Sequence, residues 1–330
     1  MIADPFHERI SCRLRTRVRV LGGIFDFESN SRTLLRLVDI AFAGLPTHAF
    51  ESKPPTFRIR LLLSPAASAP VNDEPPRMKL HGGAGLLCGT MDAANFAVVA
   101  SAERTGLVVI SRSMLLYPYH IRYELIEFVV YTLASRVQKL ISLHAACIGR
   151  NGRGLLLIGA SGGGKSTLAL HCALRGLDLV AEDGILVMPD TLRATGIGSF
   201  LHLREDSLRF AEPTTAAPIR RSPVIRRRSG VEKFEVDLRR TRHPIAAEPL
   251  QIAGVVVLSS KKATTRSGPD ALLKPLGKTE LRRQLNTSQP YAAGQPGWTT
   301  FAGRIASVPG FELQRGRHPD EGVDALLSLL

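Results

Sequence analysis

Between residues 12 and 21, Arg13, Arg15, Arg17 and Arg19 alternate with Leu14, Thr16, Val18 and Val20. A period of two sends one set to solvent and the other to a core, which predicts a half-buried strand. The period then changes. Leu34, Leu35, Val38, Ala41 and Phe42 fall at helical spacing behind Ser31, a residue type that opens helices, and the segment closes near Gly44-Leu45-Pro46. Alternation returns at residues 56–63, followed by a Pro-, Ala- and Ser-rich stretch at 64–76 that predicts an exposed loop. Residues 85–100 and 106–110 read as further strands. Residues 123–139 predict a helix with Leu125, Phe128, Val129, Thr132 and Leu133 on its buried side. These elements describe an α+β accessory region over residues 1–135.

A different rhythm begins near Leu140 and defines a second region, residues 136–330. Residues 143–148 and 154–158 predict two short apolar strands joined by a hairpin turn at Arg150-Asn151-Gly152. An amphipathic helix is expected at 165–175, ended by Gly176. Strands follow at 177–181 and 184–188, the latter turning at Pro189-Asp190. Residues 252–259 are a strongly β-branched strand and 278–285 a short helix. The stretch 211–242 is too polar and too basic to place from its pattern. Strands and helices in this order predict an α/β fold for the second region.

Composition narrows the possible classes. Of 330 residues, 44% are hydrophobic and 22% charged, which suits a globular chain with a proper core. No run of 18 apolar residues occurs, and the start of the chain is polar and broken by Pro5, which argues against a membrane span or a cleaved signal. Cys12, Cys88, Cys147 and Cys172 lack the spacing of a zinc site or a disulfide frame, as expected for reduced thiols in a cytoplasmic protein. The net charge of +14 raises nucleic-acid binding as a question. The arginines are scattered, however, and no nucleic-acid-binding signature accompanies the one dense run, Arg220-Arg221 to Arg226-Arg227-Arg228. That run is compatible with a solvated loop or with docking of an acidic substrate.

The motif that carries chemistry is Gly159-Ala160-Ser161-Gly162-Gly163-Gly164-Lys165-Ser166. It follows an apolar strand and leads into a helix, the context a phosphate-binding loop needs. Its glycines let backbone N–H groups turn toward phosphates, and the helix that follows offers its positive end. Lys165 is expected to reach the outer phosphates of ATP, the Ser166 hydroxyl to complete the Mg²⁺ shell, and Thr167 to stand beside it. No guanine-recognition Asn-Lys-x-Asp and no second ABC-type segment is present. Instead the next strand ends in Glu182-Asp183. One carboxylate there suits a metal, and a second can orient or deprotonate an attacking hydroxyl. The alternative is a polar turn without a role.

Ser142-Leu143-His144-Ala145-Ala146, the P-loop, and Arg175-Gly176-Leu177-Asp178-Leu179-Val180-Ala181-Glu182-Asp183 are similar in order and spacing to the core of the HPr kinase/phosphorylase family. The likeness is closest over residues 142–188. It continues loosely through residues 250–258 and Leu273-Lys274-Pro275-Leu276, while the first 130 residues do not resemble that family's N-terminal domain. The resemblance implies a P-loop core of the HPr kinase/PEP-carboxykinase-like type with a mixed sheet. It also implies transfer of the γ-phosphate of ATP to a serine on a protein or peptide. Carried over by position, Lys165 would hold phosphates, Ser166 and Asp183 would serve Mg²⁺, Glu182 would be the base, and His144 would stand beside the acidic pair.

Two departures stand out. The family has Asp where this chain has Glu182, so Asp183 is an alternative base. The family's phosphorylase signature is also missing, and Gly196-Ile197-Gly198 with Arg204 and Glu205 is only a faint echo of it. A nucleotide-binding regulatory module without turnover and a small-molecule kinase remain as competing readings. Family likeness also raises a homo-oligomer, whose contacts the sequence does not identify.

Overall fold

The computed structural model describes residues 10–65, 74–160, 162–243, 245–262 and 272–330. The chain divides into two compact units, one within Met1–Gly44 and Phe50–Gln138, the other within Leu45–Ala49 and Lys139–Leu330.

In the first unit, β1 (Leu14–Val20) turns through Leu21 and Gly22 into β2 (Gly23–Ser29), and α1 (Arg32–Phe42) follows. Next come β3 (Thr56–Ser64), β4 (Lys79–Gly83), β5 (Leu86–Thr90), β6 (Phe96–Ala100) and β7 (Thr105–Ser111). They form one seven-stranded sheet in the order β1-β2-β3-β7-β6-β5-β4. The β2–β3 and β3–β7 pairs are parallel and the remaining pairs antiparallel. The alternation of β1 has the expected effect, with its arginines outward and Val18 and Val20 buried. Phe25, Phe27, Phe42 and Phe57 are at most 1% exposed, and Phe25 stacks on Phe57 at 4.5 Å.

The pattern reading left β2 and β4 unassigned, and residues 85–100 form a hairpin rather than a single extended run. Asp92 makes that turn by accepting from the Ala94 N–H. The helix expected at 123–139 is longer: α2 (Pro118–His120) passes through a π-helical stretch, Ile121–Ile126, into α3 (Glu127–Val137). Most of the 64–76 loop, residues 66–73, lies outside the described residues.

The second unit is a mixed α/β layer. β8 (Ile141–His144), β9 (Ala146–Arg150) and β10 (Arg153–Ile158) precede α4 (Lys165–Leu174), β11 (Asp178–Ala181), β12 (Gly184–Val187) and β13 (Arg193–Gly196). A nine-stranded sheet runs β11-β9-β10-β17-β13-β12-β8, with β17 (Leu250–Lys262) parallel to β10 at its centre. β18 (Leu273–Leu276) and β19 (Gly310–Arg315) extend it beside β17. Asn151 and Gly152, both at positive φ, close the β9–β10 hairpin as that tight turn requires. Residues 143–148 are two strands. The chain breaks at Ala145, so β8 lies at a sheet edge against β12 while β9 pairs with β10 and β11. α4 is buried on most of its surface, not amphipathic.

The unplaced stretch 211–242 supplies α5 (Pro213–Arg220), β15 (Val224–Arg226) and β16 (Glu232–Asp237). Both strands join β14 (Phe200–Leu203) in a small sheet of order β14-β16-β15. α6 (Lys278–Ser288), α7 (Pro290–Ala293), α8 (Trp298–Ile305) and α9 (Pro319–Leu327) complete the unit. Two apolar clusters hold it together, one around α4, β9 and α9, the other around β8, β12 and α8. Residues 45–49 are stitched into this unit: His48 Nε2 donates to the Ala246 carbonyl at 2.7 Å, and Nδ1 meets the Thr195 hydroxyl at 2.7 Å. Burial holds His48 below the usual imidazole range.

Candidate active site

β10 delivers the chain to the glycine-rich loop, and α4 carries it away. Gly162 and Gly164 stand at φ of +75° and +98°, a conformation that side chains other than glycine rarely adopt. A Cβ on Gly163 would lie 2.9 Å from the Ala160 carbonyl oxygen, which already accepts from the Gly163 N–H at 3.0 Å. The curl therefore needs glycine in this run, and it ends at the first turn of α4. Lys165 is buried and folds back over the loop, donating to Gly159 O at 2.7 Å and, more distantly, to Ala160 O at 3.4 Å. Burial lowers its affinity for a proton, against the pull of Asp183 and Glu182. Thr167 is occupied elsewhere in the fold, its hydroxyl donating to Ser207 Oγ at 2.9 Å. Ser161 lies outside the described residues.

Adjacent carboxylates at the end of β11 have unlike surroundings. Glu182 is 4% exposed. Its Oε1 accepts from the His202 backbone N–H and from His202 Nδ1, both at 2.9 Å, and the carboxylate also takes a hydrogen bond from Ser166. Burial alone would raise its pKa, but the His202 contacts and the Ser166 bond hold it below the ordinary value. His202 Nε2 meets Glu235 Oε1 at 3.2 Å. With a carboxylate at each ring nitrogen, both nitrogens act as donors. These partners overcome the opposing effect of burial and raise the pKa of His202.

Asp183 faces outward instead. Its Oδ1 lies 2.9 Å from His144 Nδ1, and its Oδ2 accepts from Arg227 at 3.1 Å. Desolvation opposes its ionisation, yet His144, Arg227 and Lys233 hold it well below the usual carboxylate range. The register explains the first contact. His144 pairs with Gly184 across β8 and β12, so the residue before Gly184 reaches the His144 ring. With Nδ1 engaged and the side chain 52% exposed, His144 Nε2 has no protein partner among the described residues.

β8 is an edge strand whose outward backbone is met by side chains. Gln289, 4% exposed, accepts from His144 N at 2.8 Å and donates to His144 O at 2.9 Å. Gln295 makes the same pair with Ser142 at 3.1 and 3.4 Å. A cleft of about 250 Å³ opens beside this edge, lined by Ser142, His144, Asp183 and the α6–α7 turn from Ser288 to Ala292.

The structure thus gathers Lys165, Ser166, Glu182, Asp183 and His144 in one neighbourhood. Pattern reading did not single out His202, Lys233, Glu235 or Gln289, and it took Arg227 only as part of a basic run. The available signal was weak. Residues 200–203 and 232–237 are short strands, but each places a charged or titratable side chain at a buried position, which breaks the apolar alternation. The region therefore carries three carboxylates (Glu182, Asp183, Glu235) against four cationic groups (Lys165, His202, Arg227, Lys233).

No protein-family model and no curated protein matches this sequence. Among solved structures, the HPr(Ser) kinase/phosphatase from Coxiella burnetii is similar over 57% of this chain and 94% of that chain, with 14% identity and a TM-score of 0.29. At that level the likeness does not bear on activity or acceptor.

Proposed function

We propose that this protein is an ATP-dependent kinase that transfers a phosphoryl group to a hydroxyl, with a serine of a protein or peptide as the acceptor. The observation that carries this reading is the His144–Asp183 pair, open to a cleft beside a phosphate-binding loop. The loop glycines and Lys165 fit the triphosphate of ATP. Lys165 Nζ now satisfies itself on loop carbonyls, and those bonds exchange readily for phosphate oxygens. Mg²⁺ fits Ser166 and Glu182, an oxygen donor set already joined by a hydrogen bond. When bound, Mg²⁺ would neutralise phosphate charge.

Roles within the acidic pair follow from surroundings. Glu182 is buried and committed to His202 and Ser166, which suits a fixed partner for the metal rather than a base that must reach an incoming hydroxyl. The base role therefore falls to the His144–Asp183 pair. Asp183 accepts from Nδ1–H and so leaves Nε2 able to take the proton of the acceptor hydroxyl. Arg227, anchored on Asp183, adds positive charge where phosphoryl oxygens would collect. Catalysis of this kind rests on positioning and charge.

A non-catalytic nucleotide-binding module is the second reading, favoured by the ion pairing of Asp183 with Arg227. A single experiment separates the two. Wild type, Lys165→Ala, Glu182→Gln and His144→Ala are incubated with γ-labelled Mg·ATP and a lysate as acceptor source. Labelling of a protein at serine by wild type, lost in Lys165→Ala and strongly reduced in the other two, supports the kinase. Tight ATP binding by wild type without transfer or hydrolysis in any lysate supports the module and removes the kinase. Transfer only to small hydroxyl compounds would move the acceptor class.

A further inference from the structure

At the end of α4 farthest from the phosphate-binding loop, His171, His318 and Asp320 bring ligand atoms within 4.8 Å of one another. His171 Nδ1 lies 2.7 Å from Asp320 Oδ1, and His318 Nδ1 lies 3.3 Å from Asp320 Oδ2. We propose that these three side chains form a binding site for a late first-row divalent ion such as Zn²⁺, separate from the nucleotide site, which ties α9 to α4.

The His318 ring is already in the tautomer that a metal needs. Its Nε2 donates to the Phe210 carbonyl at 3.0 Å, which leaves Nδ1 as a lone pair facing Asp320. Metal-binding histidines are commonly held by such a bond from the remote nitrogen to a backbone carbonyl. At present the Nδ1 lone pair caps α9, accepting the Asp320 N–H at 3.2 Å. Histidine is not among the residues preferred for that position.

The second observation concerns His171. It is 2% exposed, and its Nε2 is buried with no hydrogen-bond partner among the described residues. Nδ1 is thus the ring nitrogen with a protein partner among the described residues, and a buried imidazole with one nitrogen unmatched calls for an explanation. Nδ1 points to Asp320. Two imidazoles and a carboxylate are a borderline, nitrogen-rich donor set that suits Zn²⁺, Co²⁺ or Ni²⁺ and not Mg²⁺. The His171–Asp320 contact is a hydrogen-bond distance, shorter than two ligands of one ion stand apart, and the partly exposed His318 and Asp320 supply the adjustment. Their exposed side leaves room for water as a further ligand.

Binding at His171 Nδ1 would displace the hydrogen bond to Asp320, and the neutral ring would carry its one hydrogen on Nε2 instead. The ion would then join two helices that now meet through hydrogen bonds and apolar contacts.

The test uses untagged full-length protein, stripped with a chelator and held in excess Mg²⁺, titrated with Co²⁺ and then Zn²⁺. Wild type is expected to bind one Co²⁺, with visible d–d absorption that Zn²⁺ abolishes. His318→Ala and Asp320→Ala, both at partly exposed positions, should weaken Zn²⁺ binding by about 10- to 100-fold or more. His144→Ala should leave Zn²⁺ affinity unchanged, which separates this site from the catalytic cluster. Circular dichroism verifies that each variant is folded. Wild type that binds no Zn²⁺, or variants that bind it as tightly as wild type, would overturn the proposal.

Discussion

The two units bury different kinds of side chain. In the first, the interior is mostly phenylalanine and aliphatic residues, and the ionisable groups buried among the described residues are Arg122 and Glu127, 3.4 Å apart, and His120 near Glu74. In the second, Lys165, Glu182, His202 and Glu235 are all taken out of water within one neighbourhood. Apolar burial stabilises wherever it occurs, whereas each buried charge is unfavourable unless another charge answers it. The difference teaches where to look for chemistry. The second unit keeps a denser arrangement of buried charge, which stability alone would not favour.

The comparison can be broken first by truncating each interior. Phe57→Ala removes a fully buried, stacked ring and should destabilise the first unit by about 3–5 kcal/mol. Chemical denaturation should give the same loss from pH 6 to 8. His202→Ala leaves Glu182 and Glu235 buried without their shared partner, with a loss of about 3–5 kcal/mol expected from the second unit.

The two interiors should also part in their response to pH. The folded pKa of His202 is raised, so its contribution is complete below the ordinary imidazole value of 6.5 and is lost as pH rises through the folded pKa. Glu182 and Asp183 are lowered. Their contribution is present above ordinary values of 4.5 and 3.8 and disappears as pH falls through the folded ones. Stability of the second unit should therefore decline in wild type as pH rises above 6.5. His202→Gln, measured across the same range, should flatten that decline.

Lys165→Ala should lower phosphoryl transfer by about 10²- to 10³-fold, the scale for removing one positioned donor, while thermal unfolding of the first unit is unchanged. Gln289→Ala is expected to cost less, about tenfold in kcat with KM for ATP unaltered, because it loosens only the backbone of His144. Gln289→Glu should restore part of the rate, since a carboxylate still accepts from the His144 N–H. At the small end, Arg17→Gln removes an exposed partner of Asp26 on β1 and should leave the denaturation midpoint where it was.

How much could be read in advance tracks the same contrast. β1, β3, α1 and the strand and helix on either side of the glycine-rich loop were legible because each is local, with its period or its glycines contiguous in the chain. Glu182 and Asp183 were legible for the same reason, as the end of the next strand. Their different surroundings were not. Those depend on His202 and Glu235, 20 and 53 residues farther along, and on Arg227 from a stretch too charged to show a period. His144 was recognised by its order in the chain, but the break at Ala145 that sends it to the sheet edge depends on which strands pair, and pairing is not written in a local pattern.

That edge has a consequence for the company this protein keeps. An open strand edge invites another chain to add to it, and proteins guard such edges with charge, proline or cover. Here the outward N–H and C=O groups of Ser142 and His144 are taken by the side-chain amides of Gln295 and Gln289. Two glutamines thus do the work of an absent strand, and they do it without offering an edge of their own. An extended peptide reaching Ser142 or His144 finds their backbone groups already taken, so an acceptor of the proposed kind would be recognised through side-chain shape and charge around the cleft. For the same reason, replacing both glutamines would expose a strand able to pair with its counterpart on a second molecule, and self-association would follow.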